Sequence, residues 1–322
     1  IFKKQKFRKA IHKFFPLDTN FLTKKFINVW KPEVAIFVDS EIWPNMIKNL
    51  KRSQIPIILL NARFTKSSFK KWMILKNFAS EIFNKITLAL PQNSETKNYL
   101  KILGAKNIIF IGNIKYYGQR THLSKKNKNL FKKFKKFKIW CAGSTHNTEE
   151  IIISELHKEL KKSEPRLLTI IIPRHVNRSE DITSDLEKFS LNVVSHSSRK
   201  RITKNTDIYL VDTFGETSNF YNLSNISFMG GSIVNHGGQN PLEAARLGNY
   251  IINGPNTSNF KEIYDYLKRN KISYTTSNIL RMRDKVLLKM NKKLSLTKRR
   301  KIIDNGNKIL DKNINFIEKF IQ

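Results

Sequence analysis

Short apolar runs alternate along this chain with longer stretches in which apolar residues recur every three or four positions. Runs at 34–38, 55–60, 86–90 and 107–111 open the series, and those at 139–142, 167–172, 192–195, 207–211, 226–229 and 250–253 continue it. An uninterrupted apolar run of this length, bounded by turn formers, predicts a parallel strand covered on both faces. The intervening spacing predicts helices over about 44–51, 67–83, 94–103, 178–189, 216–223 and 240–247. Phe69, Trp72, Leu75 and Phe78 recur at helical spacing and predict one core stripe. Asn20 is expected to cap a short helix through Phe26, and Ser94 one that Gly104 ends. Two or three helices close the chain from about residue 260. Strand–helix alternation on this scale implies parallel sheets with right-handed crossovers, an α/β class.

The alternation breaks between Arg120 and Lys138, where lysines crowd together. A linker is expected at 123–137, between an N-terminal domain of 1–122 and a C-terminal domain of 138–322. Phe131, Phe134 and Phe137 are spaced like one helix face, which favours a surface helix over a nucleic-acid patch.

Length and charge narrow the picture further. The 322 residues, 40% of them hydrophobic, suffice for two domains with real cores. The one cysteine, Cys141, excludes an internal disulfide and fits a reducing compartment. There is no apolar run of 18 residues and no signal-peptide pattern. A net charge of +35 favours an anionic partner: nucleic acid, a membrane surface or a phosphorylated substrate. A codon bias toward lysine, isoleucine and asparagine accounts for the same charge, so charge ranks these classes without choosing.

The polar residues are more selective. In an open parallel sheet, ligands bind beyond the carboxyl ends of the strands. That is where Asp39 to Glu41, Asn61 to Arg63, Asn113 to Lys115, Gly143 to His146, Pro173 to His175, Gly215 and Glu216, Gly230 to Glu243 and Gly254 to Asn259 all fall. They imply a two-domain enzyme for a nucleotide or phosphorylated ligand. The longest cluster has glycine pairs at 230–231 and 237–238, then Asn240 as a helix cap, Pro241 at the first helical position and Glu243 three residues after the cap. A glycine loop entering a helix suits a phosphate. Equally, Asn240 to Glu243 can be a capping box, with Glu243 folded back on the Asn240 N–H. His146, His175 and His236 sit at strand tips, as site residues or as hydrogen-bonded structural ones. There is no Walker loop, no Gly-x-Gly-x-x-Gly after the first strand and no zinc spacing.

These motifs carry a resemblance. Val38-Asp-Ser-Glu-Ile-Trp-Pro-Asn45, Leu60-Asn-Ala-Arg63, Gly112-Asn-Ile-Lys115, Ala142-Gly-Ser-Thr-His146, Pro173-Arg-His175, Asp212-Thr-Phe-Gly-Glu216, Gly230-Gly-Ser232, His236-Gly-Gly-Gln-Asn-Pro-Leu-Glu243 and Gly254-Pro-Asn-Thr-Ser-Asn-Phe260 together resemble the Kdo (3-deoxy-D-manno-octulosonic acid) transferase family, in order from about Phe15 to Phe260. The resemblance implies a GT-B fold, two Rossmann-like domains whose parallel sheets face across a cleft. It implies an inverting glycosyltransferase of lipopolysaccharide inner-core synthesis that uses CMP-Kdo as donor and a lipid A precursor as acceptor. It needs no cofactor and no metal. It implies CMP contacts by Pro173, Arg174, Phe214, Gly215, Glu216, Asn240, Pro241, Leu242 and Glu243, and transition-state stabilisation by Glu41 and Lys115. Ser144, Thr145, His146, His175, Gly231 and Ser232 are further possible contacts. The partners would be an anionic membrane surface at the cytoplasmic face of the bacterial inner membrane and no nucleic acid. The family's N-terminal anchor and general-base glutamate have no counterpart after Ile1, so the chain is expected to be a fragment without full activity alone. Three other readings remain: a GT-B enzyme for a UDP-sugar, a basic nucleic-acid-binding protein and an inactive structural remnant.

Overall fold

A computed structural model describes residues 9–118, 132–198 and 200–321. The chain divides into two compact units, one of Ile1–Ile114 with Asn307–Gln322 and one of Lys115–Gly306. This differs from the single linker at 123–137, most of which lies outside the described residues. The described end of that segment agrees with the surface-helix reading: residues 132–134 are helical, and Lys132, Lys133, Lys135 and Lys136 are exposed around Phe134. Phe134 is buried in the second unit, edge-on to Tyr209 and Phe220, because that sheet edge offers its ring an aromatic pocket. Phe131 lies outside the described residues.

The first unit contains α1 (Asn20–Trp30), β1 (Ala35–Val38), α2 (Pro44–Arg52), β2 (Ile57–Ala62), α3 (Lys66–Ile74), α4 (Lys76–Phe83), β3 (Leu88–Pro91) and α5 (Ser94–Ile102). Its sheet is parallel with order β1-β2-β3. The expected strand at 107–111 reduces to a single bridge between Ala89 and Ile108. After it the chain turns through Gly112, at φ 133°, against Ile309. The caps also shift by one residue. Thr19, not Asn20, accepts from the Leu22 N–H, and Asn93, not Ser94, accepts from the Thr96 N–H. The helix at 67–83 is two helices broken at Leu75, which is 61% exposed. Ala79, Ile82 and Phe83 fill the core, and of the expected stripe Phe69 and Trp72 pack against it, Trp72 edge-on to Phe83, while Leu75 and Phe78 stay exposed. β1 departs too: Ile36 and Val38 are exposed, because β1 is the edge strand and only its other face is covered.

The second unit contains β4 (Lys138–Thr145), α6 (Glu149–Ser163), β5 (Leu167–Pro173), α7 (Ser179–Lys188), β6 (Val193–Ser195), β7 (Ile208–Leu210), α8 (Thr217–Tyr221), β8 (Ile226–Met229), α9 (Leu242–Arg246), β9 (Tyr250–Asn253), α10 (Lys261–Arg269), β10 (Ser273–Thr275) and α11 (Ile279–Lys289). Its strands are all parallel, in the order β10-β9-β8-β4-β5-β7-β6. β10 is too short and polar to be read from the sequence. α12 (Leu296–Glu318) begins here and ends in the first unit, where Phe316 and Ile317 pack on Ile58, Leu88 and Leu90.

β4 lies mid-sheet and is almost wholly buried. Trp140, Ala142, Ile153, Leu156, Ile171 and Met282 form one core cluster, each large side chain contributing roughly 1.5–3 kcal/mol by burial. A polar chain runs through this core. Trp140 Nε1–H donates to Thr169 Oγ1 at 2.8 Å, the same hydroxyl meets His157 Nδ1 at 2.8 Å, and His157 Nε2 faces Asp207. Burial raises the pKa of Asp207, but hydrogen bonds from His157, Lys161 and the Asn192 N–H outweigh it and hold the carboxyl below its usual range. Cys141 is fully buried against the Phe220 carbonyl, and burial pushes its thiol up to about 12.

Candidate functional site

In the second unit the tips of β8, β4 and β5 are stitched at their carboxyl ends. The Gly230 N–H donates to the Gly143 carbonyl at 2.8 Å, and the Arg174 N–H to the Thr145 carbonyl at 3.0 Å. A Cβ on Gly230 would overlap the Ser144 carbonyl, so only glycine allows β8 this approach to β4.

His146, at the tip of β4, gathers the rim. Its ring stacks on His236 at 4.4 Å and meets His175 edge-on at 6.1 Å. Burial, then His236, His175, Arg174 and Arg178, lower its pKa to about 4. The ring is therefore neutral at pH 7, and its Nε2 accepts from the Gln239 amide at 3.0 Å. The three histidines named from the sequence do come together, as a stack beside Arg174.

The start of the glycine loop, at its first glycine pair, is filled by the protein's own anion. Glu149, the first residue of α6, is fully buried. Its carboxylate accepts from the N–H groups of Gly231 at 2.7 Å, Ser232 at 3.1 Å, Ile233 at 3.0 Å and His146 at 3.0 Å. Successive amides around one anion make a nest, and Gly231 at φ 66° supplies its left-handed turn. Ser232 is likewise unavailable to a ligand: fully buried, it donates to the Met229 carbonyl and accepts from the Gly254 N–H at 2.8 Å. Thr145 is buried as well, and its Oγ1 has no hydrogen-bond partner among the described residues.

The two readings of Glu243 separate clearly. Its Oε1 accepts from the Ser218 hydroxyl of α8, not from the Asn240 N–H. Asn240 Oδ1 accepts from the Leu242 N–H at 3.0 Å, and α9 starts at Leu242 rather than Pro241. The Ser218 contact ties the Asn240–Glu243 corner to the turn at 214–216. There Phe214 is 80% exposed and Gly215 takes φ 84°. Glu216 Oε2 accepts from Thr213 Oγ1 at 2.6 Å and faces His196 Nε2 at 2.8 Å. Pro173 and Leu242 are buried, while Arg174 and His175 are exposed at the end of β5. Arg178 is engaged elsewhere, in a fork on the buried Glu150 at 3.1 and 3.3 Å.

In the first unit, Glu41 is exposed after β1, and Trp43 Nε1–H donates to its Oε2 at 2.9 Å. Beside it Asn61, at φ 52°, donates to Asp39 Oδ1 at 2.7 Å and accepts from the Ile114 N–H at 3.0 Å. Lys115 opens the second unit and is half-buried; the next carbonyl, of Tyr116, accepts from the Arg246 guanidinium at 2.9 Å.

Sequence reasoning missed Glu149, Ser218 and His196 as parts of this rim. Glu149 had a signal, since it lies three residues after His146 at a helix start. Ser218 and His196 had none, because their partners are 25 and 20 residues away.

Residues 2–117 match the family described as 3-Deoxy-D-manno-octulosonic-acid transferase (kdotransferase). The chain is 33% identical over 323 aligned positions to the 3-deoxy-D-manno-octulosonic acid transferase of Rickettsia conorii, covering 97% of this chain and 68% of that one. The C-terminal CMP-Kdo binding domain of WaaA from Acinetobacter baumannii superposes with a TM-score of 0.50 at 25% identity, covering 58% of this chain and 96% of that domain. UDP-GlcNAc 2-epimerase from Neisseria meningitidis shares the fold alone, with a TM-score of 0.57 at 16% identity over 92% of this chain and 79% of that one. The architecture is GT-B.

Proposed function

The chain belongs to the 3-deoxy-D-manno-octulosonic acid transferase family, glycosyltransferases of lipopolysaccharide synthesis, and from that premise we propose that it moves Kdo from CMP-Kdo to a lipid A precursor, lipid IVA, with inversion. One observation carries this reading: Arg174, the turn at 214–216 and the Asn240–Glu243 corner lie along the carboxyl rim of one parallel sheet, the last two joined through Ser218. These residues, with Pro173, hold CMP.

An acceptor hydroxyl attacks the Kdo anomeric carbon, the bond from that carbon to the phosphate oxygen breaks, and CMP departs with the electron pair. The hydroxyl proton passes to a general base. Negative charge grows on the leaving phosphate, so fixed cations act most strongly in the transition state. The Gly231, Ser232 and Ile233 amides are committed to Glu149, so Arg174 and Lys115 are the cations given that work, and Glu41 keeps the stabilising role given by the resemblance. A phosphorylated lipid acceptor and the net charge of +35 together favour the cytoplasmic face of the inner membrane. Among the described residues no helix is long and apolar enough to cross a membrane.

Calorimetric titration with CMP, UMP and UDP tests the donor. CMP is expected to bind at least tenfold tighter than either uridine nucleotide, and Arg174→Ala to weaken CMP. Equal affinity for UDP would favour a UDP-sugar donor and overturn the proposal.

A further inference from the structure

The turn at 214–216 is supported from a strand that the donor reading does not use. Behind Glu216 stands His196, at the end of β6, and behind His196 stands Tyr209, on β7. Tyr209 OH meets His196 Nδ1 at 2.7 Å, and His196 Nε2 lies 2.8 Å from Glu216 Oε2. Only an N–H can serve a carboxylate, so Nε2 carries the hydrogen. In the neutral ring Nδ1 then has no proton, and Tyr209 must donate to it. Burial, then Asp212 and Glu216, raise the Tyr209 pKa to about 12, so its hydroxyl keeps that proton at any working pH. The ring is also fixed sterically, edge-on to Phe220 at 5.3 Å.

The consequence falls on the free side of Glu216. Both of its donors, His196 and Thr213, meet Oε2. Among the described residues Oε1 receives no hydrogen bond, and the side chain is half-buried. A carboxylate has no hydrogen to give, so Oε1 is an acceptor and nothing else. Two residues away, Phe214 is 80% exposed, an aromatic face on which a base can stack. A pyrimidine with a 4-amino group presents donors to such an oxygen. One with a 4-oxo group presents an acceptor at that position, which the carboxylate repels, and can meet the oxygen only by shifting to its N3–H.

We propose that Glu216 selects a 4-aminopyrimidine nucleotide over a 4-oxo one, with His196 as the positioning residue that holds it. The proposal rests on the reading that this rim binds a cytidine nucleotide. His196 never touches the ligand; it removes the rotamers by which Glu216 would swing away.

The experiment is a titration of wild type, Glu216→Gln, His196→Ala and Tyr209→Phe with CMP and with UMP. Wild type is expected to prefer CMP by tenfold or more. Glu216→Gln, whose amide can give or accept, should bring the ratio within about threefold of unity. His196→Ala should cut the ratio severalfold, chiefly by weakening CMP. Tyr209→Phe keeps the ring packing and should give a smaller cut in the same direction, which covers the case of a misfolded His196 variant. Purely structural loss would weaken both nucleotides alike and leave the ratio unchanged. A CMP preference that survives both Glu216→Gln and Tyr209→Phe overturns this inference and leaves the donor reading standing. A wild type without CMP preference overturns both.

Discussion

Replacing Glu149 should cost the second unit more than almost any other single change to its polar residues. The carboxylate is fully buried and serves four N–H donors, three of them consecutive in the glycine loop. Hydrogen bonds to a charged group are worth about 1.5–3 kcal/mol each, and a buried N–H left unserved costs about 1–3 kcal/mol. These terms overlap, and a loop can relax to find water for one or two donors. Glu149→Ala is therefore expected to lose about 4 kcal/mol, within the range for breaking a buried charged contact. Glu149→Gln keeps one acceptor oxygen but turns an NH₂ toward donors, and should lose about 3 kcal/mol. The unit spans about 190 residues, giving an unfolding entropy near 0.4 kcal/mol/K, so 4 kcal/mol lowers Tm by about 10 °C. Differential scanning calorimetry reads the shift, and hydrogen exchange at Gly231, Ser232 and Ile233 locates it. A Glu149→Ala protein within 1 kcal/mol of wild type, with those amides still protected, would refute the claim that this carboxylate organises the loop.

Other expectations follow from the same geometry. Lys115→Ala should lower kcat more than it raises the donor KM, as for a group acting on the departing phosphate; a pure KM effect contradicts that role. Glu243→Ala removes the tie to Ser218 and should weaken CMP while costing about 1 kcal/mol, measured by titration and urea unfolding side by side. His146 has a folded pKa near 4, below its unfolded value, so the unfolded chain binds the extra proton between pH 6.5 and 4. Stability is whole above pH 6.5 and should fall by about 1–2 kcal/mol toward pH 4, after discounting for solvent reach. His146→Gln should flatten that part of the pH profile, and an unchanged slope would assign it elsewhere.

The sequence made the strands legible because a parallel strand covered on both faces is an unbroken apolar run, and β8 and β9 fell at Ile226–Met229 and Tyr250–Asn253 as expected. Position along a strand then named the rim. What escaped was long-range. Asp18 caps α2 by accepting from the Asn45 and Met46 N–H groups, 27 and 28 residues away, and no local pattern announces that. The Glu149 nest escaped for a related reason. A glycine loop has the same sequence whether its amides await an external phosphate or an internal carboxylate 82 residues upstream. Leu75 shows the limit of periodicity, since helical spacing continues through a point where the chain divides into two helices and leaves this leucine exposed.

Cys141 gives the molecule a built-in clock for its own opening. It is the sole thiol in the sequence, it sits on the middle strand of the larger sheet, and solvent reaches none of it. A thiol reagent in excess can modify it only when β4 parts from its neighbours, so the labelling rate counts those excursions directly. Slowing of that rate by a nucleotide would report occupancy at the rim from a residue that no ligand touches.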